Sequence, residues 1–352
     1  MLERKMNQVA LLTREQSSAF KGVLILLIVL GHNSLLMTDP ETQELRFVFN
    51  WLYLFHVQSF FILPFMYGKT VLTKRHAVNN FVKLYAPYLW IFTVCLFINA
   101  FYVKHFESMG SYLYAFTFGN IYLIKEAIGF YFPWFLPAMF SLLILKGLYD
   151  RGGLWQKSAI AISTAYWLAI LLAGVNRYDV GDYIPLSISQ AFYFLPIALV
   201  ARKVSDRLSA CQNQWVEKIP ALLAFIGLTL YLYYSQHFSG KIRVLIDFLL
   251  PVAAFSVLFA YRKQLGRSAV LQFFGKYSMP IYLFHVIIYN AIVQIVHRFK
   301  LSGNFAAAVA VYILTLAISI GLTVALQRRE GLYSLMFPQG IKRRAESSYS
   351  HQ

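Results

Sequence analysis

Apolar runs of 16 to 22 residues follow one another along almost the whole chain, each closed by a short polar or basic stretch. At 1.5 Å per residue such runs cross a hydrocarbon core of roughly 30 Å. In lipid a helix satisfies its own backbone hydrogen bonds, so the pattern predicts an all-α, polytopic membrane protein. The expected spans are Ser18–Met37, Phe47–Tyr67, Val82–Val103, Phe132–Tyr149, Ala159–Val175, Tyr183–Ala201, Ile219–Tyr234, Val244–Tyr261, Tyr277–Val296 and Phe305–Leu326, ten in all. Residues 1–352 read as a single membrane domain, with 327–352 a polar cytoplasmic tail. No internal repeat and no linker divides it.

Composition supports that class. The chain is 59% hydrophobic and only 13% charged, too apolar for a soluble domain of this length. Its formal charge of +17 would raise nucleic-acid binding in a soluble protein. Here the basic residues lie between apolar spans instead of forming one face, so we read them as topology signals and expect no nucleic-acid partner.

With the N-terminus in the cytoplasm, 24 of the 32 Lys and Arg fall on the cytoplasmic side and 8 on the other, which places both termini in the cytoplasm. The segment Ser111–Ile124 is apolar but short for a span. Counting it as one inverts everything after it and leaves 14 inside and 18 outside, so we expect an interfacial or re-entrant piece. The first apolar run lacks a small-residue cleavage site and reads as a retained helix. Cys95 and Cys211 are too few for a disulfide framework or a metal site and read as packing residues.

Within Ala19–Leu36, AFKGVLILLIVLGHNSLL, His32 sits deep in an apolar helix and is followed by Asn33 and Ser34. Ionisable residues inside a membrane are costly and mark function by default, although a histidine can also serve as packing glue between helices. Lys21 precedes His32 by eleven residues, about three helical turns, so both project from one face about 16–17 Å apart. That geometry suits a long, thin acyl donor, with phosphates at a cation near the surface and a reactive end at a base inside the bilayer. A lysine at a helix end that merely snorkels is the competing reading for Lys21.

These residues resemble the acyltransferase-3 group of membrane acyltransferases, including fucose 4-O-acetylase-like enzymes. The hallmark is a basic residue, ten residues, then His in the first helix, here Lys21 and His32 in FKGVLILLIVLGH. FHVQSFFILPFMYGK at Phe55–Lys69, VKLYAPYLW at Val82–Trp90, FPWFLPAMF at Phe132–Phe140 and GKYSMPIYLFH at Gly275–His285 resemble further family elements in the same order. The family often has Arg where Lys21 stands, and Leu63 and Pro64 replace its Ser-Gly. The resemblance implies transfer of an acyl group, commonly acetyl from cytoplasmic acetyl-CoA, to a hydroxyl of a glycan or lipid-linked sugar. It implies His32 as the catalytic residue and a bacterial cytoplasmic (inner) membrane as the location. Acetyl-CoA is then a donor substrate, and no bound cofactor is expected.

The remaining candidates follow from position. Measured along each helix from its expected cytoplasmic end, His32 lies roughly 21 Å deep, His56 roughly 16 Å and His285 roughly 12 Å. His56 and His285 are candidate cavity partners of His32. No carboxylate or i, i+4 histidine pair accompanies them, so no metal is expected. The basic loop with Lys69, Lys74, Arg75 and His76, followed by Lys83, lies where CoA phosphates would arrive. Lys74 and Arg75 are the preferred donor-binding pair, against a purely topological role. Arg177, Asp179 and Asp182 in an outer loop read mainly as solvation. Tyr131, Trp134 and Tyr183 suit either interfacial anchoring or sugar stacking. Two rival functions fit a polytopic chain: a transporter or flippase of a glycan or small molecule, and a structural subunit of an envelope complex.

Overall fold

The computed structural model describes residues 10–33, 35, 43–103, 107–175, 184–211, 214–236, 239–300 and 305–338. Every regular element among them is helical. In chain order the α-helices are α1 (Arg14–Gly31), α2 (Gln43–Tyr53), α3 (His56–Ile62), α4 (Lys74–Ile98), α5 (Met109–Phe118), α6 (Ile121–Ile128), α7 (Phe135–Arg151) and α8 (Gly153–Ala173). They continue with α9 (Ile188–Ala210), α10 (Gln214–Ser235), α11 (Gly240–Ala260), α12 (Arg262–Leu265), α13 (Ala269–Lys276), α14 (Ser278–Arg298), α15 (Phe305–Gln327) and α16 (Glu330–Met336).

Among the described residues, 8 helical stretches are long and apolar enough to cross a membrane, where ten were expected. The two others, at Ser18–Met37 and Tyr183–Ala201, do fall on helices, α1 and α9. Charge is the reason they do not qualify. α1 carries Arg14, Glu15 and Lys21, and α9 carries Arg202, Lys203, Asp206 and Arg207. Both helices pack in the interior of the bundle, α1 against α3, α13 and α14, and α9 against α3, α7, α8 and α11. Central helices shielded by neighbours tolerate polar groups that lipid-facing ones do not. The opposite case is α10, whose apolar side chains Leu223, Leu230 and Tyr234 are exposed on the outside of the bundle.

The second span is not one continuous helix. α2 stops at Tyr53, a tight turn at Leu54 and Phe55 follows, and α3 begins at His56. Leu54 and Phe55 donate their amides to the carbonyls of Trp51 and Leu52, each at 3.1 Å. The Tyr53 carbonyl accepts from Gln58 Nε2 at 3.0 Å. Buried polar backbone needs such a partner. After α3 the chain tightens into a 3-10 turn at Leu63–Met66, opened by Pro64. The loop beyond it is clamped from two sides: Arg202 donates to the carbonyls of Phe65 at 2.6 Å and Tyr67 at 3.3 Å. Buried Lys146 donates to Thr70 Oγ1 at 2.7 Å and pairs with Asp150.

Ser111–Ile124 falls across two short helices, α5 and α6, of 10 and 8 residues, neither long enough to span. Gly119 ends the first with φ of +66°, a conformation that favours glycine, and Asn120 caps the second through its side chain. Both cysteines are free; Cys95 is buried in α4 and Cys211 is half-buried.

α1 and α13 approach closely enough to exclude side chains. A Cβ on Gly22 would lie 2.0 Å from the Leu271 carbonyl oxygen, and one on Gly275 would lie 1.8 Å from that of Ser18. Small residues permit this kind of backbone contact between membrane helices. The pairing makes α13 run back along the first turns of α1, and the chain then re-enters the bundle as α14 beside the rest of α1.

Candidate active site

Three histidines from three helices converge. His32, the C-cap of α1, meets His285 of α14 edge-on, with ring centroids 4.9 Å apart. His56, at the first position of α3, is fully buried and reaches the same wall: a Cβ on Gly31 would touch its Cε1 and Nε2 at 3.6 Å. Tyr53 lies between them, 5.8 Å from His32 and 5.0 Å from His56. Tyr131 stacks on the opposite side of His32 at 6.0 Å and 23°.

Each histidine is held in the same way. Nδ1 of His32 contacts the Ile28 carbonyl at 2.8 Å, Nδ1 of His56 contacts that of Leu52, and Nδ1 of His285 contacts those of Ile281 at 3.0 Å and Tyr282 at 2.8 Å. A carbonyl only accepts, so Nδ1 carries the hydrogen in all three and Nε2 of each neutral ring presents a lone pair. Nε2 of His285 is buried with no hydrogen-bond partner among the described residues. Tautomer and ring orientation are therefore set by a backbone carbonyl three or four residues earlier in the chain, which for His56 belongs to α2.

The sequence estimate placed His285 well short of His32 in depth, whereas the structure puts their rings in contact. Depth counted along each helix assumes that all helices enter at one level. Instead Ser278, at the start of α14, lines the same cavity as Lys21, which is already seven residues into α1. From that shared level His32 is eleven residues on and His285 seven, a smaller difference than depth counted from each helix end.

That cavity runs along α1 from Lys21 to Ile28, one turn short of His32. It has a volume of about 190 Å³ and its wall on α1 is Lys21, Ile25 and Ile28. Opposite stand Phe60, Leu84, Phe135, Met139 and the α14 residues Ser278, Met279 and Tyr282. Lys21 and Ser278 form its polar end. Ile28, whose carbonyl holds His32, and Tyr282, whose hydroxyl donates to the Phe132 carbonyl, lie toward the histidines. Tyr282 is 6.1 Å from His285. The space equals that of about six water molecules, which suits the thioester end of a donor and not a whole nucleotide.

Of the expected donor-binding residues, only Lys21 lines this cavity. Lys74 and Arg75 are exposed in the first turn of α4, where Thr73 caps the helix by accepting from the His76 amide. Leu84, the α4 residue in the cavity wall, is ten residues further on, roughly 15 Å along the helix. Trp134 is buried against Phe61 and Phe194, a core position and neither an interfacial anchor nor a sugar platform. Ser34, Arg177, Asp179, Asp182 and Tyr183 lie outside the described residues. Among the described residues no group of three or more His, Cys, Asp or Glu is arranged to hold a metal ion.

Sequence reasoning passed over four residues of this region: Tyr53, Gln58, Tyr193 and Asp247. Asp247 carried a signal, a lone carboxylate inside the apolar run VLIDFLLPVAAF. The other three become visible only when α2, α3, α9 and α11 are packed together.

The arrangement of a lysine, an apolar cavity and a half-buried histidine along one helix agrees with a comparison of sequences. Residues 16–324 match the family profile described as an acyltransferase domain, Acyl_transf_3. The chain belongs to the acyltransferase-3 family. The match covers both α1 and α14, and with them every histidine of the cluster. No curated protein and no solved structure gives a match. As a member of acyltransferase-3 with several membrane-crossing helices, the chain is an integral membrane acyltransferase, and the transporter reading is not favoured.

Proposed function

We propose that the protein transfers an acetyl group from acetyl-CoA to a hydroxyl of a cell-envelope glycan or lipid-linked sugar, with His32 as general base. The fucose 4-O-acetylase-like enzymes are the subtype we have in mind, and a bacterial cytoplasmic membrane the location. The observation that carries this reading is the cavity along α1 that begins at Lys21 and ends beside the carbonyl that fixes His32.

In this scheme the donor enters past Lys21, whose ammonium meets its phosphates, and the pantetheine arm lies along Ile25 and Ile28. Lys74 and Arg75 serve the nucleotide end outside the cavity. The thioester carbonyl arrives near the His32–His285 pair. His32 Nε2 accepts the proton of the sugar hydroxyl as its oxygen attacks the carbonyl carbon, the tetrahedral intermediate collapses, the C–S bond breaks and CoA leaves as the thiol after regaining a proton. Removal of that proton by a positioned base contributes typically about 10²–10⁴-fold. Tyr53 and Tyr131 flank the imidazole and confine its ring. Acyl transfer through an N-acyl-His32 intermediate is the second route open to the same geometry.

The test is transfer of labelled acetyl from acetyl-CoA into glycan or lipid-linked sugar by membranes carrying wild type, His32→Ala or no protein. Label with wild type alone supports both the reaction and the residue. Equal labelling by the variant removes His32 from the mechanism, and no labelling by wild type rejects the donor or the acceptor class.

A further inference from the structure

Asp247 is a carboxylate buried in the bundle, 5% exposed, and the one acidic residue of α11. A charge placed there is costly enough to be retained for a reason. One oxygen accepts from Gln58 Nε2 at 2.9 Å and the other from the Tyr193 hydroxyl at 2.8 Å. Gln58 and Tyr193 are themselves fully buried or nearly so. The same Gln58 nitrogen donates to the Tyr53 carbonyl at 3.0 Å, at the break between α2 and α3.

That break decides how the site is built. In an unbroken helix the Tyr53 carbonyl would point at the backbone amide four residues on; at the break it accepts from Gln58 Nε2. Because the helix is broken, Tyr53 and His56 turn toward Gly31 and His32. Gln58 donates to the Tyr53 carbonyl, and Asp247 accepts from the same nitrogen and fixes the amide of Gln58 in the orientation that does so.

We propose that Asp247 is a positioning residue for the histidine site, acting through Gln58 to hold the α2–α3 break and thereby the rings of Tyr53 and His56 against His32. The effect on acyl transfer rests on the function proposed above; the effect on His56 does not. Asp247 meets neither substrate in this scheme, so its removal disturbs chemistry and leaves donor affinity alone. Misplacing a reacting group by about 1 Å can cost about 10²-fold in rate.

The experiment compares Asp247→Leu, Asp247→Asn and Gln58→Met with wild type in purified, detergent-solubilised full-length protein. Two quantities are read: kcat and KM for acetyl-CoA, and the rate at which diethyl pyrocarbonate modifies His56, followed by mass spectrometry. Asp247→Leu and Gln58→Met are expected to lower kcat about 10- to 100-fold with KM unchanged, and to speed modification of His56. Asp247→Asn keeps an oxygen for Gln58 and an amide that can donate to Tyr193, so it should return both quantities close to wild type. Unchanged kcat and His56 reactivity in Asp247→Leu would overturn the proposal, as would an Asn variant no better than Leu. If wild type itself transfers no acetyl, the functional reading fails, while the His56 measurement still decides the role of Asp247.

Discussion

His32 and His285 meet edge to edge at 4.9 Å although they come from the first and fourteenth helices, and each donates its Nδ1 hydrogen to a carbonyl of its own helix. Two neutral imidazoles so held present two Nε2 lone pairs to one small region.

This predicts distinct outcomes at position 285. His285→Phe fills the space but removes the second nitrogen, and kcat should fall by about tenfold or more with donor KM little changed. His285→Gln, which retains a polar group, should lose less. Steady-state kinetics of the two variants beside wild type checks this; equal activity of all three would make His285 a packing residue.

Lys21→Ala should raise the apparent KM for acetyl-CoA while leaving kcat at saturating donor nearly intact, because in the proposed scheme its ammonium meets phosphates remote from the reacting carbon. Lys21→Arg keeps the charge and should be mild. Normal affinity in Lys21→Ala would remove this residue from the donor site.

The cavity itself can be blocked without touching a polar group. Leu84→Trp places an indole in a space of about 190 Å³ whose other walls are Ile25, Ile28, Phe135 and Met139. Donor binding measured by isothermal titration should weaken at least tenfold while the protein remains folded in detergent. Binding as tight as wild type would mean that the donor enters elsewhere.

Gly275→Ala tests the packing of α13 on α1. A methyl group there meets the Ser18 carbonyl oxygen at 1.8 Å, backbone that has no rotamer to yield. Overpacking of this kind typically costs about 1–3 kcal/mol, so a lower melting temperature is expected. Gly331→Ala, where nothing lies within 4 Å of the added carbon, is the control and should melt like wild type.

The membrane class, the helical fold and the family were legible in the sequence, because each depends on local properties. Run length against bilayer thickness, the lack of charge within runs, and the eleven-residue spacing of Lys21 and His32 are all readable along one dimension. The short Ser111–Ile124 segment was legible for the same reason, its glycine and asparagine marking where α5 gives way to α6. Charges within α1 and α9 make these helices less apolar than a lipid-exposed span, and both, expected as spans, pack against several other helices of the bundle.

Tertiary structure alone decided which of the polar residues meet. Depth counted from helix ends separated His285 from His32, and only the staggered entry of α14 beside Lys21 brought their rings together. The break between Tyr53 and His56 gave no breaker signal, having neither Gly nor Pro at Leu54 and Phe55. At this break Gln58 of α3 donates both to the Tyr53 carbonyl and to Asp247 of α11, a contact between elements far apart in sequence. The sequence by itself determined that the chain lives in a membrane and carries a lysine and a histidine on one helix face; the packing of distant helices decided what surrounds that histidine, since contacts between elements far apart in sequence are set by how their faces fit and not by any pattern within one of them.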